Sequence, residues 1–213
     1  SRQMNAKKPA SEIFYHQGDL PADVSFGNMV AVDTETQGLN LQRDRLCVVQ
    51  LSAGDGTAHL VHFPERNYDA PNLKRVLADT GTVKLFHYAR FDVAVLRRDL
   101  NIMCTPVFCT KIASKLVRTY TARHGLKELC RELLGIEISK EQQSSDWAAP
   151  TLSQAQQEYA ASDVLYLHAL HDNLDAHLVR ENRRELAAAC YAFLPVRAEL
   201  DLAGWPEEDI FHH

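Results

Sequence analysis

The stretch MVAVDTETQGL, residues 29–39, decides how the rest of the chain is read. Met29 to Val32 is a compact apolar run, and it ends in Asp33-Thr34-Glu35-Thr36-Gln37-Gly38-Leu39. That order predicts a central strand delivering polar groups at its end. Two acids at the end of an apolar strand repel each other and resist burial unless a cation lies between them. The pattern by itself is weak, because 28 acidic residues among 213 make about one Asp-x-Glu pair by chance. The alternative is a solvated acid pair where strand meets loop.

Downstream, Leu46 to Leu51 reads as a second strand. Ala53-Gly54-Asp55-Gly56-Thr57 carries an Asp-Gly hairpin signal, so Ala58 to Phe63 returns antiparallel and completes a three-stranded meander. Beyond Pro71 the spacing of Leu73, Val76 and Leu77 predicts a helix. Val83 to Phe86 then reads as strand and Phe91 to Leu100 as helix, which implies a parallel crossover onto the meander. Further helices are expected near Lys111 to Val117 and from Leu126 to Leu134, the latter stopped by Gly135. Ser153 with Gln156 three residues on forms a capping box, predicting a long helix that runs past Leu170. Pro195 is expected to end or kink the helix after it. The fold class is therefore α/β: a mixed sheet of antiparallel meander plus parallel strands, flanked by helices, with a helical C-terminal third.

Composition narrows the class. With 46% hydrophobic and 24% charged residues, the chain buries one core and leaves little room for two full domains. Ser1 to Gln3 precede Met4 and read as a cloning remnant, and the polar run up to Ser11 as a mobile arm, so the expected division is 1–11 arm and 12–213 single domain. No apolar run approaches the roughly 18 residues of a membrane span, and no leader is recognisable, so a cytoplasmic protein is expected. Cys47, Cys104, Cys109, Cys130 and Cys190 are odd in number and scattered, which argues against a disulfide framework or a zinc site and for buried thiols. A formal charge of −5 disfavours a binder of long nucleic acid, because such proteins neutralise many phosphates with Lys and Arg. Two bound divalent cations bring that charge to about −1.

Two further stretches carry acids at structured positions. In His87-Tyr88-Ala89-Arg90-Phe91-Asp92 a strand gives way to a helix, and Asp92 falls on the first helical turn. Its bland role is compensation of the helix dipole. In Tyr159-Ala160-Ala161-Ser162-Asp163 the (i, i+4) spacing puts phenol and carboxylate on one helix face.

Asp-x-Glu, then Asp, then Tyr-x-x-x-Asp, in this order, resembles the DEDDy group of 3′-to-5′ exonucleases, RNase D-like enzymes with an RNase H-like fold. The likeness runs from about Met29 to Leu170 and includes Gly38-Leu39, Gly125-Leu126 with Leu129, and Trp147 to Val164. Many relatives carry His-Asn-Ala where this chain has His87-Tyr88-Ala89. Within the group the chain is most similar to the nano-RNase C branch, since RNase D itself continues into helical nucleic-acid-binding domains.

The resemblance implies catalytic residues Asp33, Glu35, Asp92, Tyr159 and Asp163, the four acids holding two divalent cations, Mg²⁺ or Mn²⁺. It implies hydrolysis of very short RNA, dinucleotides above all, to nucleoside 5′-monophosphates. A broader RNase D-like activity on longer or structured RNA or on DNA is the competing enzyme reading, and a catalytically dead nuclease-fold binding module the non-enzymatic one. Thr36, Gly38 and Leu39 are candidate substrate contacts, with Leu39 a wedge between bases or an ordinary core leucine. His87, Lys111, Tyr120, Arg123 and His124 are candidates for holding a 5′ phosphate. The family assembles into rings, which implies a homo-oligomer, an octamer by that likeness, with Trp205-Pro206 among the interface material.

Overall fold

The computed structural model describes residues 11–213, so all of the N-terminal arm before Ser11 lies outside the described residues. One six-stranded mixed sheet has the order β1-β4-β3-β2-β5-β6. The strands are β1 (Glu12–Gln17), β2 (Met29–Thr36), β3 (Leu46–Ser52), β4 (Thr57–His62), β5 (Val83–Phe86) and β6 (Val107–Cys109). The expected meander is present: β2 pairs antiparallel with β3, and β3 antiparallel with β4, through a turn in which Gly54 and Gly56 both have positive φ. β5 then adds parallel beside β2, as the strand–helix–strand reading requires. Every residue of β3 is buried, as expected for a strand covered on both faces.

Two strands were not anticipated. β1 pairs parallel with β4 at the sheet edge, and β6, only three residues long, pairs parallel with β5. Glu12-Ile-Phe-Tyr-His-Gln17 has no turn signal beside it and alternates too weakly to announce a half-buried edge strand.

The helices are α1 (Pro71–Ala78), α2 (Ala89–Leu100), α3 (Thr110–Val117), α4 (Leu126–Leu129), α5 (Gln154–Leu165), α6 (Leu167–Arg180) and α7 (Arg184–Ala203). Two expectations are corrected here. The helix opened by Ser153 does not run unbroken past Leu170: it breaks at Tyr166 (φ −113°, ψ 0°), although no Gly or Pro occurs between 154 and 180. The cause is tertiary, because α5 lies on β2, β3 and β4 whereas α6 lies on α3 and the turn after α4, and one straight axis cannot serve both supports. The segment from Leu126 is α-helical for only four residues and then a π-helical turn, Cys130–Leu134, closed by Gly135 at φ 66°. Pro195 lies inside α7, which continues to Ala203, so of its two expected effects it does not end the helix.

The core is continuous from β2 and β3 through α2, α3, α6 and α7. A smaller apolar cluster joins Cys47, Val48 and Leu60 to Trp147, Leu152 and Ala160. All five cysteines are free thiols; four are buried, and Cys190 is only half-buried, a correction to the all-buried expectation. No helix of the described residues is long and apolar enough to cross a membrane.

Candidate active site

Asp33 and Glu35 leave β2 two residues apart, so the pleat of the strand sends both side chains to the same side. Directly across the sheet, Gln50 of β3 is in register with Asp33 and is wholly buried. Its amide nitrogen reaches Asp33 Oδ2 at 3.4 Å and donates to Glu35 Oε1 at 3.2 Å, clamping the two acids to one side chain. The register slips between Glu35 and Thr36, and the chain there leaves the sheet and turns through Gly38. A Cβ on Gly38 would collide with the Asp44 carboxylate, which accepts from the Asn40 amide at 2.9 Å and thereby fixes the turn.

Opposite the acids lies α5. Its start is fixed as the sequence predicts: Gln156 N donates to Ser153 Oγ (3.1 Å) and Ser153 N to Gln156 Oε1 (2.9 Å). With the helix start held, Tyr159 and Asp163 share one face, four residues apart. Ligand oxygens of Asp33, Glu35 and Asp163 lie within 4.8 Å of one another. Asp92, on the first turn of α2 and 3% exposed, completes the set from the far side, where Thr34 Oγ1 donates to Asp92 Oδ1 at 2.5 Å. All five residues border one cavity of about 510 Å³.

The electrostatics of that cavity are severe. Burial, followed by the neighbouring Asp163 carboxyl, pushes the Asp33 pKa well above the carboxylate range. Burial and Asp33 do the same to Glu35 and to Asp92, and burial and Glu35 to Asp163. Among the described residues no Lys or Arg forms an ion pair with any of the four. Crowded carboxylates without a basic partner need positive charge from elsewhere, and oxygen-only ligands suit a hard divalent cation. The donor set therefore fits a divalent metal. Burial, then Asp163, also raises the Tyr159 phenol, so it stays protonated at neutral pH.

Trp147, 2% exposed, closes one wall by packing its ring 5.8 Å from that of Tyr159. Its carbonyl accepts from His62 Nε2 at 2.9 Å, which leaves His62 Nδ1 to accept from the Tyr15 hydroxyl at 2.6 Å. Strand β1 thus braces the cavity wall through a two-step relay.

Of the candidate substrate contacts, Thr36, Gly38, Leu39, His87 and Lys111 border the cavity. Leu39 is 82% exposed, which rules out its reading as a core leucine. Burial, then the Lys111 cation, lowers the His87 pKa to about 3, so this ring is neutral at physiological pH. Tyr120, Arg123 and His124 stand outside the cavity wall. The Tyr120 hydroxyl donates to Glu132, His124 Nδ1 shares a hydrogen bond of 2.7 Å with Ser114 Oγ, and the Arg123 carbonyl accepts from Arg118 at 2.7 Å. These groups are drawn to the buried Arg118 guanidinium, which orders their loop from beneath.

Gln50 and Thr34 were missed from the sequence. The only signal for Gln50 was an amide in the middle of an apolar run, Leu46-Cys-Val-Val-Gln50-Leu.

A 3′-5′ exonuclease family model matches residues 16–178. Brucella melitensis NrnC bound to pGG is 57% identical and superposes with a TM-score of 0.92, covering 96% of this chain and all of that one. Brucella melitensis NrnC with bound Mg²⁺ is likewise 57% identical, with a TM-score of 0.90 over 95% of this chain and 99% of that one. Ribonuclease D of Granulibacter bethesdensis is 31% identical over 186 residues, 86% of this chain but 47% of the relative's own length. The chain thus spans about half the length of that curated relative. With the family model matching well over half of its residues and structural likeness to NrnC over 96% of its length, the chain belongs to the 3′-5′ exonuclease family.

Proposed function

We propose that this enzyme is a two-metal-ion exoribonuclease that trims very short RNA, dinucleotides above all, to nucleoside 5′-monophosphates. The observation that carries the reading is the convergence of Asp33, Glu35 and Asp163, within 4.8 Å, beside Tyr159 in a cavity of about 510 Å³. That volume suits a ligand of a few dozen atoms and does not admit a duplex. The pGG held by a 57% identical neighbour supports a short substrate, and the formal charge of −5 is consistent with few phosphate contacts.

In this reading Asp33, Glu35, Asp92 and Asp163 would hold two cations, Mg²⁺ or Mn²⁺, with Asp33 central, Glu35 and Asp163 toward the attacking water and Asp92 toward the leaving 3′ oxygen. Bound cations supply a lowered water pKa and neutralise charge that develops on the phosphoryl oxygens. Gln50 keeps Asp33 and Glu35 in a fixed mutual position. Tyr159, held protonated, donates to and orients the water instead of taking its proton. Leu39, projecting from the Gly38 turn, separates the two bases. Lys111 is the charged group assigned to a 5′ phosphate, Lys127 and Lys140 also bordering the cavity, and the neutral His87 contributes a hydrogen bond at most.

Residues 12–213 act as one exonuclease domain, in a homo-oligomeric ring to which the Trp205-Pro206 region contributes, and the five free thiols are consistent with the cytoplasm. The ribonuclease D relatives favour a second reading, a broader exonuclease on longer RNA. Supplying 5′-labelled RNAs of two to seven nucleotides with Mg²⁺ or Mn²⁺ and following the product ladder separates the two. The dinucleotide is consumed fastest under the first reading, and all lengths at similar rates under the second.

A further inference from the structure

Tyr88 is one of three described non-glycine residues with positive φ, and it alone borders the catalytic cavity. Its backbone is left-handed (φ 69°, ψ 54°) immediately before α2, a conformation that disfavours a bulky side chain and suits Asn or Gly. The residue is 45% exposed, so burial accounts for only part of what holds the ring there. It makes no hydrogen bond that explains its place. Instead it lies parallel to Phe91, with centroids 6.5 Å apart and planes 8° apart, so the two rings form a continuous aromatic shelf on the cavity rim. Lys111 Nζ lies over the Tyr88 ring, 4.6 Å from its centroid, placing a cation against that aromatic surface. Strain retained at a cavity rim, together with an exposed flat ring and an adjacent cation, describes a surface made for a planar group that carries a phosphate.

We propose that Tyr88 is a specificity residue whose ring stacks on the nucleobase 5′ to the scissile bond, with Lys111 at that nucleotide's phosphate. The assignment to the 5′ side follows from chain position: Tyr88 enters the helix that carries Asp92, the acid on the side of the leaving 3′ oxygen. It therefore rests on the catalytic assignment made under Proposed function. Stacking accepts any base, since every base has a π face, so Tyr88 selects for an ordered base at this position without reading its identity.

The test compares wild type with Tyr88→Phe and Tyr88→Asn on a 5′-phosphorylated RNA dinucleotide and on the same substrate with an abasic 5′ ribose. Asn suits the left-handed backbone, so the melting temperature of Tyr88→Asn stays level or rises while the ring is lost. Base–aromatic stacking predicts that KM rises roughly 5- to 150-fold in Tyr88→Asn, with a smaller fall in kcat, whereas Tyr88→Phe stays close to wild type. On the abasic substrate wild type and Tyr88→Asn converge. An unchanged KM in Tyr88→Asn, or an equal loss on intact and abasic substrates, overturns the proposal. The same comparison on a seven-nucleotide RNA, intact or abasic at the penultimate position, separates this result from the length preference. A wild type that prefers the heptamer sinks the dinucleotide reading, while a base-dependent Tyr88 effect on either RNA sustains the stacking.

Discussion

Four of the five candidate catalytic side chains are held by neighbours that are not part of the substrate. Gln50 holds Asp33 and Glu35, Thr34 holds Asp92, and Trp147 packs on Tyr159. Such support lets four acids whose pKa values are all raised stay within one cavity. Tyr159 is the most direct test at this scale. Its raised pKa makes it a donor and not a base at neutral pH, so under the proposed function removing the hydroxyl removes orientation of the water and little else. Tyr159→Phe is expected to lower kcat by about 10²- to 10³-fold, comparable to loss of one preorganised donor, with dinucleotide affinity retained. Stopped turnover with intact binding in a fluorescence titration agrees with that role, and unchanged kcat contradicts it.

At the scale of elements, the site depends on how three pieces are docked: the end of β2, the start of α2 and the middle of α5. The start of α2 is tied to the far end of α7 by a two-pronged ion pair, Arg90 Nε and Nη2 to Asp201 Oδ2 and Oδ1, both at 2.8 Å. Asp201 is 3% exposed and also meets Arg197 at 3.2 Å. Asp201→Asn keeps the shape but removes the charge shared by two guanidinium groups. It is expected to cost roughly 1–3 kcal/mol in urea unfolding, discounted because Arg90 is partly exposed. A variant as stable as wild type means α2 is held by apolar packing alone.

The elements also explain what the sequence discloses and what it withholds. Met29 to Leu39 was legible because an apolar run, two acids and a glycine lie within one strand and its turn. Tyr159 and Asp163 were legible because helical periodicity is local and Ser153 marks where to begin counting. Gln50 was not legible as a partner of Asp33, because cross-strand register is set by the pairing of β2 with β3 and not by either strand alone. The same holds for β1, which exists as a strand through β4, and for the break at Tyr166, which two separate packing surfaces impose. Tyr120, Arg123 and His124 lie outside the cavity wall: the Tyr120 hydroxyl and the His124 ring have partners near Arg118, and Arg123 meets Arg118 only through its backbone carbonyl.

For the molecule as a whole, a net charge of −5 and a cavity of about 510 Å³ point the same way. A dinucleotide offers one or two phosphates, so its affinity is expected to fall with salt at a log–log slope of magnitude about 1, from about 0.7 per neutralised phosphate on single strands. A slope several times steeper, measured from 50 to 300 mM KCl, indicates that a longer strand is gripped outside the cavity.

Every step of the proposed chemistry requires that Asp33, Glu35, Asp92 and Asp163 act together as ligands. Anomalous diffraction from crystals grown with Mn²⁺ and a non-hydrolysable dinucleotide addresses this directly. Two peaks roughly 3.5–4 Å apart are predicted, both touching Asp33 and divided between Glu35 with Asp163 and Asp92. Manganese bound elsewhere, or no peak among these four carboxylates, contradicts the account.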